Sequence, residues 1–183
     1  MERGILLYGP PASGKDTITA VLAGLDRRYA PFTRLKIGAG RTHGYRMASR
    51  RELERLEECG DVVYRNDRYG NTYVVDRPGL REATSGGSVP VVHLGQIAGV
   101  RAVAEGFPAR WCRVLLWCRR ETTERRSIGR GDGDTAARLG AWDATERDVT
   151  NHPGTEWDLR VHTDDVPPQD AAARIHALVT AAD

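Results

Sequence analysis

The stretch GILLYGPPASGKDT, residues 4–17, decides the fold of this chain. It runs from a continuous apolar segment, typical of a buried strand, through a glycine-rich turn into a helical pattern. The turn has the spacing G-x-x-x-x-G-K, in which glycines let the backbone approach an anion while backbone N–H groups and a lysine supply positive charge. We therefore predict a loop that binds the phosphates of a nucleotide through Gly9, Ala12, Ser13, Gly14, Lys15, Asp16 and Thr17.

The residue after the loop lysine is an acid, whereas many such loops have serine or threonine there. Thr17 is then the nearest hydroxyl. We predict Thr17 and Asp16 as the metal contacts, because hydroxyl and carboxylate oxygens suit Mg²⁺. The alternative for Asp16 is an acid that only complements the dipole in the first turn of a helix.

The composition excludes several classes of protein. The chain has 183 residues, 40% of them hydrophobic, which is enough for one globular domain with its own core. Its 27 basic and 25 acidic residues leave a formal net charge of +2, so we expect no nucleic-acid or membrane partner held by bulk charge. Three cysteines in no metal-ligand spacing, together with apolar runs of strand length, favour a cytoplasmic protein without a disulfide framework, export signal or membrane span.

Short apolar runs alternate with helical patterns, which predicts one α/β domain over 1–183. The predicted strands are at 4–8, 32–37, 89–94, 114–117 and 157–162, and the predicted helices include 14–25, 50–59 and 168–182. The second of these helices is opened by a Ser-x-x-Glu capping box at 49–52. The runs 62–64 and 72–75 predict a hairpin, and the glycine-rich segment 128–134 predicts a mobile loop.

Five further segments, in order after the loop, resemble the guanylate kinase family over nearly the whole chain. They are YRMASRREL (45–53), GNTY (70–73), GVRAV (99–103), the arginines Arg126, Arg130 and Arg138, and WDLRVHTDD (157–165). The order glycine-lysine-x-threonine also resembles the loop of nucleoside-monophosphate kinases of the adenylate kinase type. The resemblance implies a P-loop kinase fold: a five-stranded parallel sheet with helices on both faces, a small antiparallel acceptor-binding insertion at 32–75 and a lid at 127–137. The core is then formed by 1–31, 76–126 and 138–183.

The same resemblance implies an ATP-dependent phosphotransferase, with ATP and Mg²⁺ as cofactors and a small phosphorylated acceptor as its partner. Phosphoryl transfer needs alignment and charge neutralisation more than covalent help, which suits arginine and lysine. The residues expected to hold the migrating group are Lys15, Arg126, Arg130 and Arg138. Those expected to hold the acceptor are Arg41, Tyr45 and Tyr73, with Arg34 and Lys36 as secondary candidates.

The positions that select the acceptor depart from the family. Tyr64 stands where guanylate kinases have the Glu that reads guanine, and a phenol lacks the paired acceptors of a carboxylate, which weakens the case for GMP. The family's Asp-x-Asp after the fourth strand becomes Leu94-Gly95-Gln96, with His93 before it and Asp76 as a possible compensating acid. The acceptor-side prediction therefore also includes Tyr64, Asp76, His93 and Gln96.

A related branch, the ribose 1,5-bisphosphate phosphokinases, also has Gly-Lys-Asp-Ser/Thr in its loop, which favours a small phosphorylated metabolite such as a sugar phosphate. Other functions stay open: a non-catalytic guanylate-kinase-like interaction module, and a hydrolase or sensor that uses nucleotide without an acceptor. His93 is alternatively a structural histidine. We expect a monomer or a homodimer.

Overall fold

Strands and helices alternate along the chain in the computed structural model, which describes residues 2–40, 42–68, 70–131 and 133–181, and of Arg68 only the backbone. The strands are β1 Arg3–Tyr8, β2 Tyr29–Pro31, β3 Leu35–Ile37, β4 Arg46–Met47, β5 Val62–Arg68, β6 Asn71–Asp76, β7 Val89–Leu94, β8 Arg110–Trp117 and β9 Leu159–His162. The α-helices are α1 Lys15–Leu25, α2 Arg50–Glu58, α3 Arg77–Thr84, α4 Ile97–Gly106, α5 Arg120–Gly129, α6 Thr135–Asn151 and α7 Pro168–Thr180.

The larger sheet has five strands, all parallel, in the order β2-β7-β1-β8-β9. Its central strand, β1, is apolar on both faces because helices cover both. Ile5 and Leu7 pack on the side of α1 and α7, while Leu6 and Tyr8 pack on the side of α3 and α4. The predicted five-stranded parallel sheet with helices on both faces is therefore confirmed.

A second sheet of four strands, in the order β4-β3-β6-β5, lies in the segment predicted as the insertion. The pairs β3–β6 and β5–β6 are antiparallel, as expected, but β3 and β4 are parallel. The prediction of one strand over 32–37 is wrong, because the chain changes sheets there. The Phe32 amide donates to the Val91 carbonyl (3.0 Å) at the end of β2, and the chain then crosses to begin β3 at Leu35.

Two helices that follow strands have side-chain caps of different kinds. α2 has the predicted capping box, in which Ser49 accepts from the Glu52 amide and Glu52 accepts from the Ser49 amide. α3 is capped by Asp76, which accepts from the Gly79 amide (2.8 Å) and from the Arg46 guanidinium. Because Asp76 is only 2% exposed, its bond to the Gly79 amide is shielded from water, whereas the Arg46 side chain remains 35% exposed.

A third helix start is capped from a distance. The Ile97 amide, at the beginning of α4, donates to Asp148 on α6 (2.8 Å). The same carboxylate oxygen accepts from the hydroxyl of Tyr8 at the end of β1 (2.8 Å). Asp148 therefore ties the long helix α6 to the central strand.

We expect the two side-chain caps to differ in their contribution to stability. Asp76→Ala removes a buried cap and the partner of the Arg46 guanidinium, which is 35% exposed and can be hydrated, so it should lower the free energy of unfolding by about 2–3 kcal/mol. Ser49→Ala, the matched control on an exposed cap, should cost about 1 kcal/mol. Urea denaturation of both variants measures the difference, and equal losses would contradict it.

Candidate functional site

The predicted phosphate loop leaves β1 in the middle of the larger sheet and turns into α1. At its start, the Gly9 backbone approaches β8 so closely that a Cβ would lie 2.0 Å from the Leu116 carbonyl oxygen. Gly14 has a φ of +87°, and Ala12 has a φ of +59°, in the left-handed region that costs a non-glycine residue about 1 kcal/mol. α1 begins at Lys15, so the first-turn amides that lack intrahelical partners face the loop.

The Lys15 ammonium is held inside this loop. It donates to the carbonyls of Gly9 (2.7 Å) and Pro10 (2.8 Å) and to the Ser13 hydroxyl (3.3 Å). Burial lowers the pKa of Lys15 to about 8, opposed by the nearby Asp16 carboxylate, so the ammonium remains mostly charged at pH 7. The loop therefore concentrates one full positive charge among backbone dipoles, as binding a polyphosphate requires.

His93, at the end of β7, lies beside the loop in a fixed orientation. The Thr19 hydroxyl donates to the Lys15 carbonyl (2.8 Å) and also forms a hydrogen bond with His93 Nε2 (2.8 Å). His93 Nδ1 faces the Asp16 carboxylate at 3.5 Å. Burial lowers the pKa of His93 to about 4, helped by the Lys15 charge, so the imidazole is neutral at pH 7.

Two tyrosines and two cations form a cluster on the second sheet. The rings of Tyr45 and Tyr73 have centroids 5.4 Å apart, and the Arg34 guanidinium lies 5.4 Å from the Tyr73 centroid. The Lys36 ammonium lies 5.5 Å and 5.9 Å from the two ring centroids and donates to the Ala39 carbonyl (2.7 Å). Lys36 is only 2% exposed, so the rings and the carbonyl stand in for water around its charge.

The loop and this cluster meet in one cleft of about 780 Å³, the solvent at its mouth included. Among the described residues that line it, none is acidic. Lysine and arginine charge, phenol hydroxyls and amide groups converge there, an arrangement suited to a small anion with hydroxyl groups. The lining is formed by Gly9, Pro11, Lys15, Arg34, Tyr45, Asn66, Tyr73, His93, Leu94, Gly95, Ala141 and Thr145.

A second cavity of about 710 Å³ borders the loop at Ala12 and Gly14. Arg126 lines this cavity, and its guanidinium donates to the carbonyls of Ala12 (2.8 Å) and Thr163 (2.7 Å). Arg126 thus connects the loop to the end of β9. The lining residues are Ala12, Gly14, Thr17, Ile18, Arg126, Arg130, Thr163, Val166 and Pro168.

Four of the predicted acceptor and lid residues do not line either cavity: Tyr64, Gln96, Asp76 and Arg138. The Tyr64 hydroxyl donates to the Gln96 side chain, and its ring packs on α4 so closely that a Cβ at Gly99 would lie 2.7 Å from it. Asp76 is used as the cap of α3, and Arg138 donates to Asp134 (2.8 Å) in an exposed ion pair. Arg41 is outside the described residues.

Three residues at the site were not singled out from the sequence. Asn66 lines the cleft because it pairs directly opposite Tyr73, a relation that follows only once the hairpin register is known. Thr145 lines it because it lies one helical turn after Ala141 on α6. Thr19 follows Lys15 by four residues, and in a helix this spacing brings a threonine hydroxyl to the carbonyl one turn earlier. That spacing is the sequence signal by which Thr19 could have been found.

Comparison with known proteins supports the fold. No protein-family model and no curated protein matches this chain. Among solved structures, a guanylate kinase from Anaplasma phagocytophilum is 16% identical with a TM-score of 0.64, covering 99% of this chain and 86% of that one. The structure of APE1195 is 17% identical with a TM-score of 0.51, and the match covers 99% of this chain and 97% of that one. An uncharacterized protein from Eubacterium ventriosum is 13% identical with a TM-score of 0.51, and the match covers 97% of this chain and 98% of that one. The chain therefore has a fold like that of guanylate kinase.

Within the described ranges, no helix is both long and apolar enough to cross a lipid bilayer.

The neutral imidazole predicts a pH dependence of stability. The pKa of His93 is lowered from 6.5 to about 4, so at pH 4–6.5 the unfolded chain binds a proton that the folded chain does not, and the free energy of unfolding falls as the pH falls. Between pH 7 and pH 4.5 the wild type should lose about 2–3 kcal/mol more than His93→Gln. Urea denaturation at the two pH values measures this loss, and an equal loss in both proteins would contradict it.

Proposed function

We propose that this protein is an ATP- and Mg²⁺-dependent kinase that transfers the γ-phosphoryl group to a small phosphorylated acceptor. The observation that carries the proposal is the convergence of two anion-binding surfaces on one point. Lys15 lies where the loop and the cleft meet. Its ammonium binds the loop carbonyl of Gly9, and Lys15 also lines the cleft that contains Tyr45 and Tyr73. A donor phosphate on the loop and an acceptor in the cleft would therefore approach each other at Lys15, as in-line transfer requires.

The residues beside the loop fit a magnesium–nucleotide complex. The Asp16 side chain, next to Lys15 in the sequence, is 98% exposed, so its carboxylate is available to an ion. Thr17 lines the cavity that contains Arg126, where its hydroxyl could contact the same ion. Within the described residues no group of three or more His, Cys, Asp or Glu forms a complete metal site, so phosphate oxygens must supply further ligands. Asp16 and Thr17 would hold the ion, which when bound neutralises charge on the phosphates.

We assign separate roles to the loop, to the two arginines of α5 and its C-terminus, and to the lid. The loop amides and Lys15 hold the donor phosphates, and the cavity beyond Arg126 receives the rest of the donor nucleotide. Arg126 acts on the loop itself, because its guanidinium binds the Ala12 carbonyl and fixes the loop relative to β9. Arg130 follows Arg126 by four residues and lines the same cavity. Of these two arginines, Arg130 is the one that would contact the phosphates. The proposed lid at 127–137 begins within α5 and ends within α6, and its closure over the site would exclude water; Asp132 lies outside the described residues.

The acceptor side favours a sugar phosphate over a guanine nucleotide. The Tyr64 phenol, which occupies the guanine-reading position of the family, is paired with Gln96, and among the described lining residues no carboxylate faces the cleft. A guanine edge presents N–H donors that need such an acceptor. Arg34, Tyr45 and Tyr73 suit a phosphate, and Asn66 suits sugar hydroxyls.

We expect Lys15→Ala to lower kcat/KM by about 1000-fold or more, because it removes the full charge at the point of transfer. Gly24→Ala on the same helix, where a Cβ meets nothing within 4 Å, is the matched control and should keep full activity. A coupled ADP-release assay measures both. Near-normal turnover of the Lys15 variant would remove the catalytic proposal.

We expect ADP release to depend on the acceptor, with pentose phosphates such as ribose 1,5-bisphosphate turned over faster than GMP. Tyr73→Phe should raise KM for the acceptor about tenfold and leave KM for ATP unchanged, because one hydrogen bond to a charged group is lost. Tyr29→Phe, whose hydroxyl contacts His176 instead, is the control. A higher kcat/KM for GMP, or equal turnover without any acceptor, would contradict the acceptor assignment.

A non-catalytic module is the second candidate. It predicts that the protein binds no ATP–Mg²⁺, which a direct titration tests.

A further inference from the structure

The strongest unassigned feature is a buried threonine on α5 whose hydroxyl binds the phosphate loop. Thr123 is 0% exposed, and its hydroxyl donates to the Pro11 carbonyl at 2.9 Å. Cys118 Sγ, which is also fully buried, lies 3.3 Å from the same hydroxyl oxygen. Thr123 and Pro11 are 112 residues apart in the sequence. The bond is therefore a tertiary contact that joins the loop to α5.

Four successive carbonyls of the loop, those of residues 9–12, each accept a hydrogen bond from a side chain. Lys15 donates to the first two, Thr123 donates to the third and Arg126 donates to the fourth. In a trans peptide the carbonyl and the N–H of the next residue point in opposite directions. A bond that holds a carbonyl therefore also fixes the direction of the N–H that follows it, where the next residue has one.

Thr123 acts on the peptide that carries the first N–H after two prolines. Pro10 and Pro11 have no N–H, so Ala12 supplies the next amide of the loop after Gly9. The Pro11–Ala12 peptide is trans, so this N–H points away from Thr123. Among the described residues, none accepts a hydrogen bond from it. The Ala12 amide is therefore available to an anion bound in the loop, and Thr123 sets its direction.

The conformation of Ala12 also needs support from outside the loop. Its φ of +59° lies in the left-handed region, which is unfavourable for a residue with a Cβ. The peptide groups on both sides of Ala12 are held by α5, through Thr123 and Arg126. These two residues are three positions apart, so they lie on one face of the helix. Loss of the Thr123 bond would let the Pro11–Ala12 peptide rotate toward a less strained conformation.

We propose that Thr123 is a positioning residue for the phosphate loop, whose hydroxyl fixes the Pro11–Ala12 peptide so that the Ala12 amide faces the donor phosphates. The proposal rests on the proposed function, because it names a residue that prepares the same loop for its ligand. Thr123 acts through the backbone and contacts neither donor nor acceptor. A loop that is already ordered before binding loses less conformational freedom when the phosphates arrive, and this raises its affinity for them.

The test removes the hydroxyl and keeps the shape of the side chain. In ligand-free Thr123→Val, the ¹³C resonance of the Pro11 carbonyl and the ¹⁵N–¹H resonance of Ala12 should shift, because the hydrogen bond that orients their peptide is lost. The Kd for inorganic tripolyphosphate with Mg²⁺ should rise about tenfold. In the ADP-release assay, KM for ATP should rise by a similar factor while KM for the acceptor stays unchanged.

Three further variants separate positioning from packing. Thr122→Val is the matched control, because Thr122 is the adjacent residue of α5, is 4% exposed, and has a hydroxyl that accepts from Arg125 (3.2 Å) instead. It should lower the urea midpoint about as much as Thr123→Val, yet keep the wild-type Pro11 resonance and tripolyphosphate affinity. Thr123→Ser retains the hydroxyl and should behave as the wild type. Thr123→Ala removes the hydroxyl without a second methyl, and should repeat the effects of Thr123→Val.

The outcomes distinguish this inference from the proposed function. Wild-type affinity for tripolyphosphate in Thr123→Val and Thr123→Ala, or an equal loss in Thr122→Val or Thr123→Ser, overturns the positioning role and leaves the kinase standing. A wild-type protein that binds tripolyphosphate, loses this binding in Thr123→Val and releases no ADP with any acceptor supports the positioning role and overturns the kinase. A wild-type protein that binds neither ATP nor tripolyphosphate overturns both.

Discussion

The fold and the candidate site both depend on the position of β1 between β7 and β8. Because the three strands are parallel, the segments that follow them leave the sheet at one edge, which is where ligands bind in open α/β sheets. Gly9 must pass the Leu116 carbonyl at a distance that no side chain allows, so the loop is formed against β8 rather than in solvent. His93 arrives at the same edge from β7, on the opposite side of the loop.

Much of this organisation could be predicted from short stretches of sequence. The apolar run at 4–8, the loop and the capping box at 49–52 are local patterns, and each is present in the structure with boundaries that differ by a residue or two. The all-parallel sheet also followed, because apolar runs without alternation are typical of strands covered on both faces.

The rest depends on contacts between distant segments, for which the sequence has no local signal. The segment 32–37 has strand-like residues throughout, yet it is divided between two sheets because Phe32 bonds to β7 and Leu35 bonds to β6. Asp76 resembles a free acid in the sequence, but Gly79 and Arg46 use its carboxylate. The hydrogen bond between the Tyr64 hydroxyl and the Gln96 side chain depends on the packing of β5 against α4, which no local pattern predicts.

Charge is arranged unevenly around the loop although the net charge is only +2. The end of β7 contributes Leu94 and Gly95 to the cleft, and neither residue repels an anion. The nearby acid is Asp16 in the first turn of α1, where the helix dipole favours a negative group. Two phosphorylated molecules repel each other as they approach, and positive charge between them reduces that repulsion. With Asp16 at the start of α1 and cations along the cleft, the described lining residues present no carboxylate, which is the arrangement that the proposed transfer between two phosphorylated molecules needs.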